Sequence, residues 1–161
     1  MAGLGLLVLR LTLAAVFVAH GAHTLFGLFS SPGIGPGGIS NTAAVFASAG
    51  LHPEYLLAVL SGILHLAGGL LLVIGMFTRW ATLFLAVDVA VGLWKVHLPF
   101  GFFLNYVHAQ GRGDGIEYTL ILLGALICLF FTGAGGFSFD GRRATDAAVR
   151  AAGRARLRGS V

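Results

Sequence analysis

The chain carries six histidines beside only six Asp and Glu and ten Lys and Arg. Imidazole and carboxylate are the side chains able to move a proton near neutral pH or to hold a transition metal. Their placement is the first functional clue. His20 and His23 lie close to the end of one apolar stretch, His65 interrupts a second, and Asp88, Lys95 and His97 share a third. Glu117 opens a fourth, and Arg10 stands near the start of the first. His20 and His23 are close enough on a helix to share a ligand. No HExxH spacing supports a zinc site, and no Walker-type GK[ST] is present. The glycines of PGIGPGG (Pro32–Gly38) lack the strand and helix that a dinucleotide site requires. Cys128 is the single cysteine, which excludes an intramolecular disulfide framework and a thiol-only metal site. Its setting is that of a small packing residue.

These groups have to be positioned by elements suited to lipid. Of 161 residues, 57% are hydrophobic and only 10% charged, whereas an ordinary soluble domain has about a quarter charged. That balance excludes disorder, a coiled coil and a soluble α/β enzyme. The 25 glycines suit membrane helices. Four apolar stretches, residues 4–27, 54–77, 80–98 and 116–132, approach the ~20 residues that cross ~30 Å of hydrocarbon. None alternates with period two as barrel strands do, so helices must satisfy the backbone. The expected fold is all-α: an integral membrane four-helix bundle over residues 1–140, then a basic cytoplasmic tail over residues 141–161. In the first connection SSPGIGPGG reads as turn, and NTAAVFASAG as a short interfacial helix capped by Asn41 and ended by Gly50.

Lys and Arg near helix ends set orientation. An even number of spans puts both termini on one side with Arg10, Arg79, Arg142, Arg143, Arg150, Arg154, Arg156 and Arg158. Only Lys95 and Arg112 fall on the other. Both termini are therefore expected on the cytoplasmic side of a prokaryotic cell (inner) membrane. The first stretch lacks the cationic start and small-residue end of a cleaved signal peptide, so it is expected to remain a span. The net charge of +4 is then a topology signal, with Arg150, Arg154 and Arg158 as one stripe on the membrane lipids. No nucleic-acid partner is implied.

This orientation sets depth. His20, His23, Lys95, His97 and Glu117 fall near the outer surface, and Asp88 near the middle. His65 lies about 15 Å inward at a rise of about 1.5 Å per residue. Ionisable groups inside a membrane tend to face the bundle and mark function. His65 shares a stripe with Gly62, Gly69 and Leu72, which points it inward against a close helix. Glu117 aligns with Leu120, Ile121, Gly124 and Cys128, also read as an interior face. Arg10, Ala14, Phe17, His20, Gly21 and Thr24 form another stripe, with Arg10 either paired to Asp88 or snorkelling. Asp88, Gly92 and Lys95 align, while His97 points roughly the other way and could face lipid headgroups instead of the cluster. Three readings of His20, His65, Glu117 and His97 stand side by side, with His23, Asp88, Lys95 and Arg10 as secondary groups. They hydrogen-bond across helices and hold the bundle. His20, His65 and Glu117 hold a transition metal, or paired histidines hold haem. Or they relay a proton to a quinone headgroup.

Three segments carry a family pattern: RLTLAAVFVAHGAHTLFG (Arg10–Gly27), GILHLAGGLLLVIGMFTRWA (Gly62–Ala81) and IEYTLILLGALICLFFTGAGGFSFDG (Ile116–Gly141). With HG late in the first helix, GGLLLxxG in the second, EY opening the fourth and a terminal GxGxxSxD, the chain resembles the DoxX family of small four-span membrane proteins. The resemblance implies a small subunit of a thiosulfate:quinone oxidoreductase, or a membrane partner in an oxidoreductase or redox-stress complex. Many relatives have no assigned activity. His20 and Glu117 match the pattern. His65 stands where relatives often have glutamate and Thr24 where they often have lysine, so a site built on that pair does not carry over. The resulting expectation is a membrane subunit of a redox complex, with quinone, haem or a transition metal as candidate cofactor. Other membrane or redox-complex subunits, or further copies of the chain, are the expected partners. The alternative is a non-catalytic assembly subunit docked through small-residue faces around Gly68 and Gly69.

Overall fold

Long apolar runs free of proline make the helices, and glycine or proline ends them. The computed structural model of the chain describes residues 2–30 and 35–158. Residues 31–34 of the SSPGIGPGG stretch lie outside it, as do the side chains of Arg156 and Arg158. Helix α1 spans Ala2–Phe26, α2 Ile39–Ser48 and α3 Glu54–Ile74. Helix α4 spans Thr78–Gly92 and runs on through a π-helical turn, Leu93–His97, and a 3₁₀ turn, Leu98–Phe100. Helix α5 spans Glu117–Thr132 and α6 Phe139–Arg158. Pro53 precedes α3, and Gly75, at φ 70°, ends it. The cap of α2 is Gly38 and not Asn41, which sits inside the first turn and donates from Nδ2 to Gly37 O. The tail is helical, with Arg150 and Arg154 exposed.

Gly3–Phe26, Glu54–Ile74 and Thr78–Phe100 are each long and apolar enough to cross a membrane, and α5 is a shorter apolar helix of 16 residues. At a rise of about 1.5 Å per residue, α5 covers about 24 Å. Exposed aromatic rings gather at the two ends of the bundle. Phe77, Trp80, Phe131 and Phe137 mark one end, and Phe26, Tyr55, Trp94, Phe103 and Tyr106 the other. Such rings favour the two membrane interfaces. Tyr118 and Phe131 are exposed near the two ends of α5.

Two helix pairs build the bundle. Helix α1 packs along α3 through glycines, as the stripe around His65 implies. A Cβ on Gly69 would lie 2.8 Å from Val18, and one on Gly62 2.7 Å from Leu25. On Gly21 it would run into the backbone of Leu66. Gly21→Ala is therefore expected to lower the thermal unfolding midpoint in detergent, at a cost of about 1–3 kcal/mol for overpacking. An unchanged midpoint would mean that α1 and α3 part freely here. Helix α4 packs along α5, and Leu85, Val89, Leu122, Leu126 and Leu129 join Leu13, Phe17 and Leu72 in one buried cluster. The pairs meet where a Cβ on Gly68 would sit 3.0 Å from Leu85. Gly68 and Gly69 are thus used within the chain, against α4 and α1, and offer no close approach to another subunit.

The interior face of α5 is Thr119, Leu122, Leu126 and Leu129. The stripe expected to be internal, Leu120, Ile121, Gly124 and Cys128, is exposed on the bundle surface. Lipid solvates apolar side chains as well as a core does, so hydrophobicity alone does not distinguish the two faces.

Arg10 closes the end of the bundle remote from His20. It is 2% exposed and donates from Nη1 to Ala134 O at 2.9 Å and from Nη2 to Phe137 O at 2.8 Å. It neither pairs with Asp88 nor snorkels, because the turn after α5 aims carbonyls inward at it. Asp140, at the start of α6, accepts from the Phe77 and Thr78 N–H groups at 3.0 and 2.9 Å and so caps α4. Its own N–H donates to Gly75 O at 3.0 Å.

Candidate functional site

Toward the end that carries His20, His97 and Glu117, a cavity of about 710 Å³ opens between the helix pairs. Helix α1 contributes Phe17, His20 and Thr24, and α3 contributes Ser61, Leu64 and His65. Helix α4 adds Val87, Asp88 and Gly92, and α5 adds Tyr118, Thr119 and Leu122. Phe46 of α2 and the Asp114–Gly115 segment complete the wall.

Most of that wall is apolar, which isolates one polar cluster. His65 Nε2 lies 2.8 Å from Asp88 Oδ2, with the ring turned so that its N–H is not aligned on the oxygen. Ser61 Oγ donates to the same oxygen at 3.1 Å. The His20 ring stands edge-on to His65 with centroids 6.3 Å apart, and Phe17 tilts against His65 at 5.3 Å. Glycine spacing had aimed His65 inward correctly. Its pairing with Asp88 was missed, although both residues lie roughly midway along antiparallel neighbours.

His97 also lines the cavity and does not point away toward headgroups. In an α-helix, which turns about 100° per residue, it would stand about 140° from Gly92. The π turn over Leu93–His97 replaces that geometry with an i→i+5 ladder. Val91 and Val96, and Gly92 and His97, consequently share one wall. His97 Nδ1 lies 2.9 Å from Asp114 O. A carbonyl only accepts, so Nδ1 donates and Nε2 is left for another partner.

The remaining candidates have other neighbours. Glu117 accepts from Leu104 N–H at 3.2 Å and Tyr106 Oη at 3.0 Å, latching the connection before α5. That hydrogen bond raises the Tyr106 phenol above its ordinary pKa. His23 donates from Nδ1 to Leu28 O at 2.8 Å, closing the end of α1. Lys95 Nζ lies 4.4 Å above the Trp94 ring. Among the described residues no three His, Cys, Asp or Glu side chains converge as a metal site, and Glu117 is not brought to His20 and His65. Haem does not fit the histidine pair either. Nε2 of His65, the nitrogen an axial ligand would offer, is turned to Asp88.

Fold and site together define a helical integral membrane protein with a polar cluster inside an apolar cavity. The chain belongs to the DoxX family, whose model matches residues 5–98. That match contains His20, Ser61, His65, Asp88 and His97, and stops short of Glu117 and the Ser138–Asp140 segment. The chain is also 27% identical over 134 residues to an uncharacterized protein of Haemophilus influenzae, covering 83% of this chain and 87% of that relative. No solved structure matches it.

Proposed function

We propose that the chain is a membrane subunit of an electron-transfer complex and binds the headgroup of a lipid-soluble quinone at Ser61, His65 and Asp88. The observation that carries this reading is the Ser61–His65–Asp88 cluster set into the mostly apolar wall of a cavity in a membrane bundle. Sites of this composition take ligands with an apolar body and a few oriented polar atoms. A quinone ring with its carbonyl oxygens has that chemistry, and it reaches such a cavity from the bilayer. When bound, it would supply reversible electron transfer coupled to protons.

The side chains have distinct parts in this reading. Asp88 sets its carboxylate beside His65 Nε2, and Ser61 steadies the carboxylate. His65 so held can give up or regain a proton in the cavity. His20 stands next to it, and His97 lies further toward the loop end, so imidazoles follow one another from the interior toward that end. The asymmetry of arginines supports both termini on the cytoplasmic side of a prokaryotic inner membrane, α5 as a fourth crossing, and the site toward the opposite face.

The test is purification in mild detergent, solvent extraction for quinone, and titration of the stripped protein with decylubiquinone. Saturable binding is expected, weakened by His65→Ala and unaffected by His23→Ala. Absence of both co-purifying quinone and saturable binding would leave the assembly-subunit reading in its place.

A further inference from the structure

Gly92 differs from the other glycines of the membrane helices that face a neighbour. A Cβ on Gly62, Gly68 or Gly69 would press on an adjacent helix at 2.7, 3.0 or 2.8 Å. On Gly92 it would meet nothing within 4 Å, although Gly92 belongs to the cavity wall. Register explains the gap. Helices α3 and α4 run antiparallel and touch at Gly68 with Leu85 and at His65 with Asp88. One turn further, the same register sets Ser61 across from Gly92. Ser61 instead reaches back to Asp88, and the space beside Gly92 stays open. Leu60 of α3 and Val91 of α4, next in sequence to Ser61 and Gly92, line the cavity and are 52% and 39% exposed. Exposed lining on both helices places the gap at the seam between them.

Nothing in the local backbone calls for glycine. Gly92 has φ −59° and ψ −45°, ordinary helical values, and glycine weakens a helix interior relative to other residues. The physical effect of having no side chain here is the gap itself.

We propose that Gly92 keeps open a lateral portal between α3 and α4, through which a membrane-dissolved molecule with a long apolar tail enters the cavity. The identity of that molecule as a quinone rests on the functional reading above. The head reaches His65 and Asp88, and the tail stays in the gap beside Gly92.

Gly92→Ala and Gly92→Leu, set against the parent chain, test this by three readouts. These are thermal unfolding, decylubiquinone binding, and lipid retained through detergent purification as counted by native mass spectrometry. Both variants are expected to unfold at or above the parent's temperature. Gly92→Leu is expected to bind decylubiquinone about tenfold more weakly, as an overfilled site does, and to retain less lipid. Equal binding and equal lipid in Gly92→Leu and parent would overturn the portal. If the parent retains lipid that Gly92→Leu loses while neither binds quinone, the portal stands and the quinone reading falls. A parent that holds neither overturns both. Lower unfolding temperatures in both variants would also overturn the proposal, since they would show that the space beside Gly92 is filled.

Discussion

Arg10→Met should destabilise the bundle more than any other single change of a polar side chain. The guanidinium is buried and serves two carbonyls, those of Ala134 and Phe137. Methionine fills much of the same volume but donates nothing. Orphaning the buried Ala134 acceptor costs about 1–3 kcal/mol, and the part-buried Phe137 acceptor adds less. Lysine should rescue little, because one ammonium on a flexible stem cannot span two carbonyls as a planar fork does. Gly75→Ala probes the same junction from α3. Its Cβ would run into the Arg10 guanidinium and Ser138, and its φ of 70° disfavours any side chain. The double variant should then cost less than the sum of the singles, since both disturb one contact. The measurement is SDS-induced unfolding in mixed micelles followed by circular dichroism. A midpoint for Arg10→Met within about 0.5 kcal/mol of the parent, the range of ordinary surface substitutions, would sink the argument.

Arg10 also shows what a single sequence conceals. Its partners are backbone carbonyls far along the chain, and a carbonyl has no letter to read. Snorkelling was a reasonable expectation from side-chain length alone. The helices themselves were legible to within a few residues, because the bilayer demands long apolar runs and glycine or proline punctuates them. The inward face of α3 was legible too, since glycines at helical spacing have a steric meaning in any solvent. The face of α5 was not. Leucine and isoleucine are equally at home against lipid and against Leu126, so the stripe that follows Glu117 was read as interior although it faces outward. His97 was misaimed for a different reason: a π turn alters the rotation of every residue beyond it and leaves no compositional mark. The Asp88–His65 pair was accessible in principle. Two polar groups at matching depth on antiparallel neighbours have few other partners in hydrocarbon.

That pair also separates the competing readings of the site. Asp88→Asn keeps the shape of the side chain and an oxygen for Ser61 to donate to, but removes the charge and sets an amide beside His65. If the cluster binds a headgroup, the loss of one charge-assisted contact, about 1.5–3 kcal/mol, should weaken decylubiquinone binding by about tenfold to a hundredfold. Stability should barely change, because Asp88 lines a cavity and packs against little on that side. If the histidines and carboxylate only hold the helices together, the order reverses. Interhelical hydrogen bonds in membranes contribute about 0.6–2 kcal/mol, so unfolding would shift by that amount and binding would not respond. Asp88→Leu sharpens the contrast. Leucine is compatible with an apolar wall and leaves Ser61 and His65 without their shared oxygen, so a bundle that tolerates it while binding vanishes assigns the carboxylate to the ligand. A bundle that falls apart while binding persists in the folded fraction assigns it to the scaffold.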